Sequence, residues 1–275
     1  MVLVERGRLM AASPDHRRLA LGATLGEATG RMPDMARGAG GVLALTAGFA
    51  LLLLAQPAGW LAMLGWLALT LSALSAFGAV TRIGVARDLI GARRRGLGPL
   101  GFQLTRVEAR LAGATLLCAL FLTIILSLLA LVALALFGGA GLDAGAIRAR
   151  DWAAAGAAWK LILLSGVGLV VLCTPVLLAV RLALFAQATV GRAQMISLTA
   201  TSLTNNAILP LLSGLIVCGV PLLLWLALVI AGVLAGKAAL AVATIILFAV
   251  QAPFTAAVLG AAYRQLETSE DGDVA

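Results

Sequence analysis

Little in this sequence is equipped for chemistry. Histidine occurs once, as His16 between Asp15 and Arg17, a setting that fits a solvated side chain better than a ligand. Cys118, Cys173 and Cys218 each fall inside an apolar block and form no C-x-x-C pair, so their spacing indicates neither a disulfide framework nor a zinc site. No acidic residue lies in the middle of any apolar block, which argues against a carboxylate proton relay and against a di-metal hydrolase. Lysine is limited to Lys160 and Lys237, and charged residues make up only 12% of the chain. The opening residues, Met1 to Arg8, lack an apolar core followed by a small-residue cleavage site, so no cleaved signal peptide is expected.

What the chain has in excess is hydrocarbon: 62% of its residues are hydrophobic and the mean hydropathy is +1.07. These residues come in unbroken blocks, and a block of roughly 20 residues at ~1.5 Å per residue matches a hydrocarbon layer ~30 Å thick. Six blocks can be read, at 40–56, 58–80, 107–137, 159–180, 207–235 and 238–262. The expected fold is therefore all-α, a polytopic transmembrane helical bundle with short cytoplasmic interfacial amphipathic helices. Residues 1–39 form a basic N-terminal segment, 40–264 the membrane domain with interfacial loops at 81–106 and 181–206, and 265–275 an acidic tail. The first block is the shortest; with the Pro57-Ala58-Gly59-Trp60 reversal behind it, a short hairpin and a half-inserted pair both fit.

Net charge is +8, a balance that could serve nucleic acid, an acidic substrate or a membrane surface. Position decides between them, because most of the arginines flank apolar blocks, where each is worth about 1 kcal/mol against anionic lipid. Anionic membrane lipids are thus the expected partners, together with a membrane protein, and nucleic acid is not. Threaded as six spans, the chain places sixteen Lys and Arg residues on one side and four on the other. The basic side is the cytoplasmic one, which puts both termini in the cytoplasm.

Two connections look like more than coil. In loop 81–106, Ile83, Ala86, Leu89 and Ile90 recur at helical spacing against Arg82, Asp88, Arg93, Arg94 and Arg95, the pattern of a short interfacial helix. Thr105-Arg106-Val107-Glu108 then has the form of a capping box opening the third span. In the second connection, Gln194, Ser197, Thr201 and Thr204 face away from Met195, Ile196, Ala200 and Leu203, as in a helix lying in the interface plane. The stretches "TRIGVARDLIGARRR" and "VRLALFAQATVGRAQ" share a helix end, an arginine and an amphipathic turn. Duplicated hairpins and convergence on basic loops explain that likeness equally.

Candidate site residues are few. Glu108 and Arg110, at the start of the third span, share a leaflet with Arg181 at the end of the fourth. A Glu108–Arg181 ion pair, Arg181 on a lipid phosphate, and independent snorkelling are all compatible with that placement. Arg93, Arg94, Arg95 and Arg192 complete the candidate lipid-phosphate set. Pro175, Pro210, Pro221 and Pro253 lie in or near spans, where kinks serve either packing or a cavity; Thr174, Pro175, Ser213 and Gln251 mark where a cavity would lie.

From Gly98 onward, "GPLGFQLTRVEARLAGATLL" and, after a long apolar pair, "VRLALFAQATVGRAQMISLTATSLTNNAILPLLSGLIV" resemble a group of bacterial six-helix proteins described as glycerophosphoryl diester phosphodiesterase membrane-domain-like. The likeness covers roughly two thirds of the chain. In that group the fourth helix ends in an arginine, matched by Arg181, followed by an interfacial segment and a Leu-Thr turn, matched by Leu203-Thr204. The basic, aromatic-containing form of that turn is replaced here by Asn205-Asn206-Ala207. The resemblance implies a helical domain of the bacterial cytoplasmic membrane. It implies no catalysis, since in fused members the phosphodiesterase chemistry belongs to a separate soluble domain. The expected function is accordingly that of a non-enzymatic membrane protein without cofactor or metal, a scaffold or regulator contacting anionic lipid or a membrane partner. A small transporter or lipid-handling protein with a cavity between Pro-kinked helices is the alternative.

Overall fold

The computed structural model describes residues 19–192 and 207–271, and among these it is built from helices and turns, with no strand. Six helical stretches are long and apolar enough to cross a membrane: Met32–Leu54, Trp60–Val85, Pro99–Gly139, Ala158–Gly191, Ile208–Ile230 and Gly236–Glu267. The architecture is that of an all-α, multi-pass membrane bundle.

A helix precedes the first span within the basic N-terminal segment: α1 (Leu21–Gly30) buries Thr24 and Ala28. The first span itself, α2 (Met32–Leu54), begins earlier than its apolar block. Pro33 occupies the first turn, where its missing N–H costs nothing, and Asp34 complements the positive end of the helix. Its 23 residues reach about 34 Å at ~1.5 Å each, a full span rather than half of one. Gln56 and Gly59, both at positive φ, turn the chain into α3 (Trp60–Val85).

Helix α3 runs through Arg82 and Ile83 to Val85, burying both. The interfacial helix read in loop 81–106 from Arg82 to Arg95 is therefore shorter than expected: only α4 (Leu89–Arg94) is a separate element, N-capped by Asp88, which accepts from Gly91 N at 2.6 Å. A 3-10 turn (Pro99–Gly101) leads to α5 (Arg106–Gly139), followed by the short α6 (Ala144–Arg148) and α7 (Trp152–Ala155). The return span is α8 (Ala158–Leu182), and α9 (Phe185–Gly191) follows it. Residues 181–206 were expected to rest on the membrane surface, yet α9 is inserted against α3 and α5, with Ala186 through Val190 buried. The amphipathic face expected over 194–205 lies outside the described residues. The last spans are α10 (Ile208–Ile230) and a continuous rod made of α11 (Gly236–Ile246), a π-helical turn (Leu247–Gln251) and α12 (Ala252–Asp271). Pro253 accounts for that turn, because it has no N–H to give the carbonyl four residues back and its ring crowds that carbonyl. The tail expected from 265 onward continues α12 as far as Asp271.

The core sits where α1, α2, α3 and α12 meet. Backbones touch at the α3–α12 crossing: a Cβ on Gly84 would lie 2.6 Å from the Ala256 carbonyl oxygen, and one on Gly260 would overlap the backbone of Gly84. Small residues allow this approach where the surrounding solvent gives helices no hydrophobic reason to associate. The other spans are held mainly at one end. Helix α5 is buried at Glu108, Leu111, Ala114 and Cys118 and nowhere beyond; α10 is buried at Leu211, Gly214 and Cys218. Both sets recur every three or four positions, one helical stripe covering only the first turns. The bundle is thus packed most closely at the end where α2 and α5 begin and α3 and α12 finish, while toward the other end α5 stays paired with α8, where Lys160 Nζ donates to Ala140 O at 3.0 Å, and α10 with α11, where Trp225 Nε1 donates to Ala239 O at 2.9 Å.

Candidate functional site

The closely packed end gathers the charged residues that the sequence left scattered, in three layers. Deepest is a pair between two side chains each 1% exposed: Arg82 Nη1 donates to Glu108 Oε1, and Arg82 Nη2 donates to Thr105 Oγ1 at 3.1 Å. Glu108 Oε2 accepts from Thr105 N at 2.8 Å and from Thr105 Oγ1 at 2.6 Å, which completes the expected capping box. Glu108 is thereby committed to Arg82, not to Arg181. The correction has a simple cause: with α3 extended to Val85, Arg82 lies inside the bundle beside the start of α5. Gly78 makes the room, for a Cβ there would stand 2.6 Å from Glu108 Oε1.

The second layer closes the end of α3. A helix leaves its last four carbonyls without intrahelical partners, and cations satisfy them best. Arg264 Nη1 donates to the carbonyls of Gly84 and Ala86, while Arg31 Nη1 donates to Ala86 O at 2.7 Å. Glu27 holds Arg264 through a bond of 2.6 Å and lies 3.8 Å from Arg31. Tyr263 donates to Glu267 at 2.6 Å, and Arg192 lies 4.0 Å from the same carboxylate. Around these groups runs an open groove of about 710 Å³ whose wall includes Arg87, Asp88 and Arg95.

The outermost layer is α4 and the loop behind it. Arg93, Arg94 and Arg95 are exposed, and so are Ile90 (64%), Leu100 (63%), Phe102 (42%) and Leu104 (62%). This surface is fixed rather than loose. Ser75 Oγ donates to Gly101 O at 3.1 Å and accepts from Gln103 N at 3.0 Å, and Gln103 Oε1 accepts from Gly98 N at 2.7 Å. Gly101 has φ 86° and sits so close to α2 that a Cβ would lie 2.8 Å from Val42 Cγ1. The chain matches no family model, no curated protein and no solved structure.

The remaining candidates separate. Arg110 is exposed in the second turn of α5, Arg181 is half-buried in the last turn of α8, and each has interactions of its own. Thr174 bonds to Val170 O and Ser213 to Leu209 O, each within its own helix, while Pro175 lies inside α8. Gln251 shares a cavity with Gln187, Phe77 and Phe248, and none of Thr174, Ser213 and Pro175 is in its wall. Sequence reading missed Arg82, Arg264 and Gln187. For Arg82 a signal existed, since the residue lies only two positions past the block ending at 80 and the apolar Ile83, Val85 and Ala86 follow it, ahead of a capping-box glutamate. For Gln187 there was none. Among the described residues, no three histidine, cysteine or carboxylate side chains come together as a metal site.

Proposed function

We propose that this chain is a non-enzymatic multi-pass protein of the bacterial cytoplasmic membrane, with both termini cytoplasmic, whose basic end docks on anionic lipid and serves as a platform for a membrane-protein partner. The observation that carries the reading is the α4 surface: three consecutive exposed arginines beside four exposed apolar side chains, on a loop tied to α2 and α3. Such a surface seats Ile90, Leu100, Phe102 and Leu104 among acyl chains and leaves Arg93, Arg94 and Arg95 at phosphate depth. At about 1 kcal/mol per arginine, the triad is worth about 3 kcal/mol, or roughly a hundredfold preference for anionic over zwitterionic lipid. The orientation follows from the charge bias, with sixteen cationic residues assigned to one side and four to the other.

The test is retention of lipid by the purified chain. Wild type should hold phosphatidylglycerol or cardiolipin against phosphatidylcholine in native mass spectrometry, and the R93Q/R94Q/R95Q triple variant should lose most of that preference while staying folded. Equal retention of anionic lipid by the two proteins would end the proposal.

A further inference from the structure

The groove at the basic end, about 710 Å³, opens among α1, the joint between α3 and α4, and α12. Among the described residues its wall carries four arginines and three carboxylates, and the carboxylates are already engaged. Glu27 serves Arg264 and Arg31, Asp88 caps α4, and Glu267 accepts from Tyr263 with Arg192 beside it. Two cations are left over. The guanidiniums of Arg87 and Arg95 are exposed, line the groove, and make no hydrogen bond or ion pair with another described residue.

Their backbones are set in place although their heads are not. Arg87 stands between Ala86, whose carbonyl accepts from Arg31 and Arg264, and Asp88, whose carboxylate accepts from Gly91 N at 2.6 Å. Arg95 ends α4, its N–H shared between the Gly91 and Ala92 carbonyls at 3.2 and 3.1 Å. Arg31 and Arg264 extend the positive wall: both donate to Ala86 O and both draw on Glu27, so two guanidiniums stand on one counter-charge. A concavity with cations in excess focuses the field and concentrates anions. Each guanidinium presents a planar fork of donors that matches phosphate oxygens two at a time. Two uncompensated forks call for two negative charges on one small group. A phosphomonoester supplies about two charges and three acceptor oxygens, whereas a carboxylate or a phosphodiester supplies one charge.

We infer that this groove binds a phosphomonoester dianion between Arg87 and Arg95, whether the phosphate arrives on a soluble molecule or as the headgroup of a lipid. The inference goes beyond the lipid-docking surface of α4: Arg93 and Arg94 lie outside the groove wall, and Arg87 lies outside that triad. A diffuse positive surface is the rival reading, and the two differ in which arginine matters.

The experiment is a thermal-shift titration of the full chain in neutral detergent micelles at about pH 8. The probes are dioleoylphosphatidic acid, dioleoylphosphatidylglycerol as the phosphodiester control, and inorganic phosphate against sodium chloride of matched ionic strength. The wild type should bind phosphatidic acid at least tenfold more tightly than phosphatidylglycerol; R87Q should erase that preference and R93Q/R94Q should keep it. Phosphatidic acid should also slow amide hydrogen exchange over residues 85–97 of the wild type, a readout that survives if a variant fails to fold. Displacement of phosphatidic acid by inorganic phosphate would identify a site for soluble phosphomonoesters, and resistance to displacement a site for the lipid headgroup; both carry the inference. Equal affinity for the two lipids, a preference that R87Q retains, one that R93Q/R94Q removes equally, or unchanged exchange over 85–97 would overturn it.

Discussion

Removing the carboxylate of Glu108 is the sharpest perturbation of this structure. Glu108 accepts from Arg82, from Thr105 N and from Thr105 Oγ1, and both ends of the ion pair are 1% exposed. Glu108→Ala strips the counter-charge from a guanidinium whose Nε already lacks a partner, and it removes half of the capping box of α5. Losing one member of a buried pair costs about 3–5 kcal/mol, and a lost cap about 0.5–2 kcal/mol more. Because α3 and α5 meet near this point, the loss should appear as global destabilisation of about 4–6 kcal/mol in reversible unfolding in mixed micelles. Replacing both partners, R82M with E108L, should recover more than half of it, since two apolar side chains leave no charge behind. E108A within about 1 kcal/mol of wild type would refute the claim that this pair is desolvated.

Other outcomes follow from the same geometry. Gly260→Val forces a branched side chain into the backbone of Gly84 and should prevent α3–α12 contact, read as loss of the folded band in detergent gel filtration; Gly219→Val, where open space surrounds the site, should be tolerated. Arg264→Met leaves the Gly84 carbonyl without its cation and should cost about 2–4 kcal/mol in the same unfolding measurement, more than Arg31→Met, because Ala86 O retains its other donor. Trp225→Phe removes the 2.9 Å bond from Trp225 Nε1 to Ala239 O that joins α10 to α11, at about 1 kcal/mol. In a Cys173→Ser background, a cysteine at position 145 should react with an impermeant maleimide applied to intact cells and one at position 94 should not; the reverse pattern would invert the proposed orientation.

The spans were legible because continuous hydrocarbon has no other economical reading, and the capping box because Thr105 and Glu108 stand at a fixed separation. Boundaries failed where charge interrupts a helix without ending it. Arg82 looks like the start of a loop only while its partner is unknown; the carboxylate that lets α3 carry it inward lies 26 residues away. Met32–Ala39 looked like tail for a similar reason: Asp34 and Arg37 lower its hydropathy, although they decorate a helix whose other face buries Met35, Gly38 and Ala39. Gln187 could not be foreseen, since burying the short helix that carries it depends on tertiary contacts with α3, α5 and α12 that no local pattern encodes.

Helix α5 is 34 residues long, about 51 Å at ~1.5 Å each, against a hydrocarbon layer of ~30 Å. A rod that outreaches its slab must lean or protrude, and this one is buried only over its first turns but tied to α8 at its far end, where Lys160 Nζ donates to Ala140 O at 3.0 Å, so α5 and α8 lean together. The angle between α5 and the central helices is then a property shared with the surrounding lipid: thinner bilayers open it and thicker ones draw it upright. Reconstitution into thinner or thicker bilayers should therefore change the tilt of the α5–α8 pair, with the Arg82–Glu108 clasp at its fixed end.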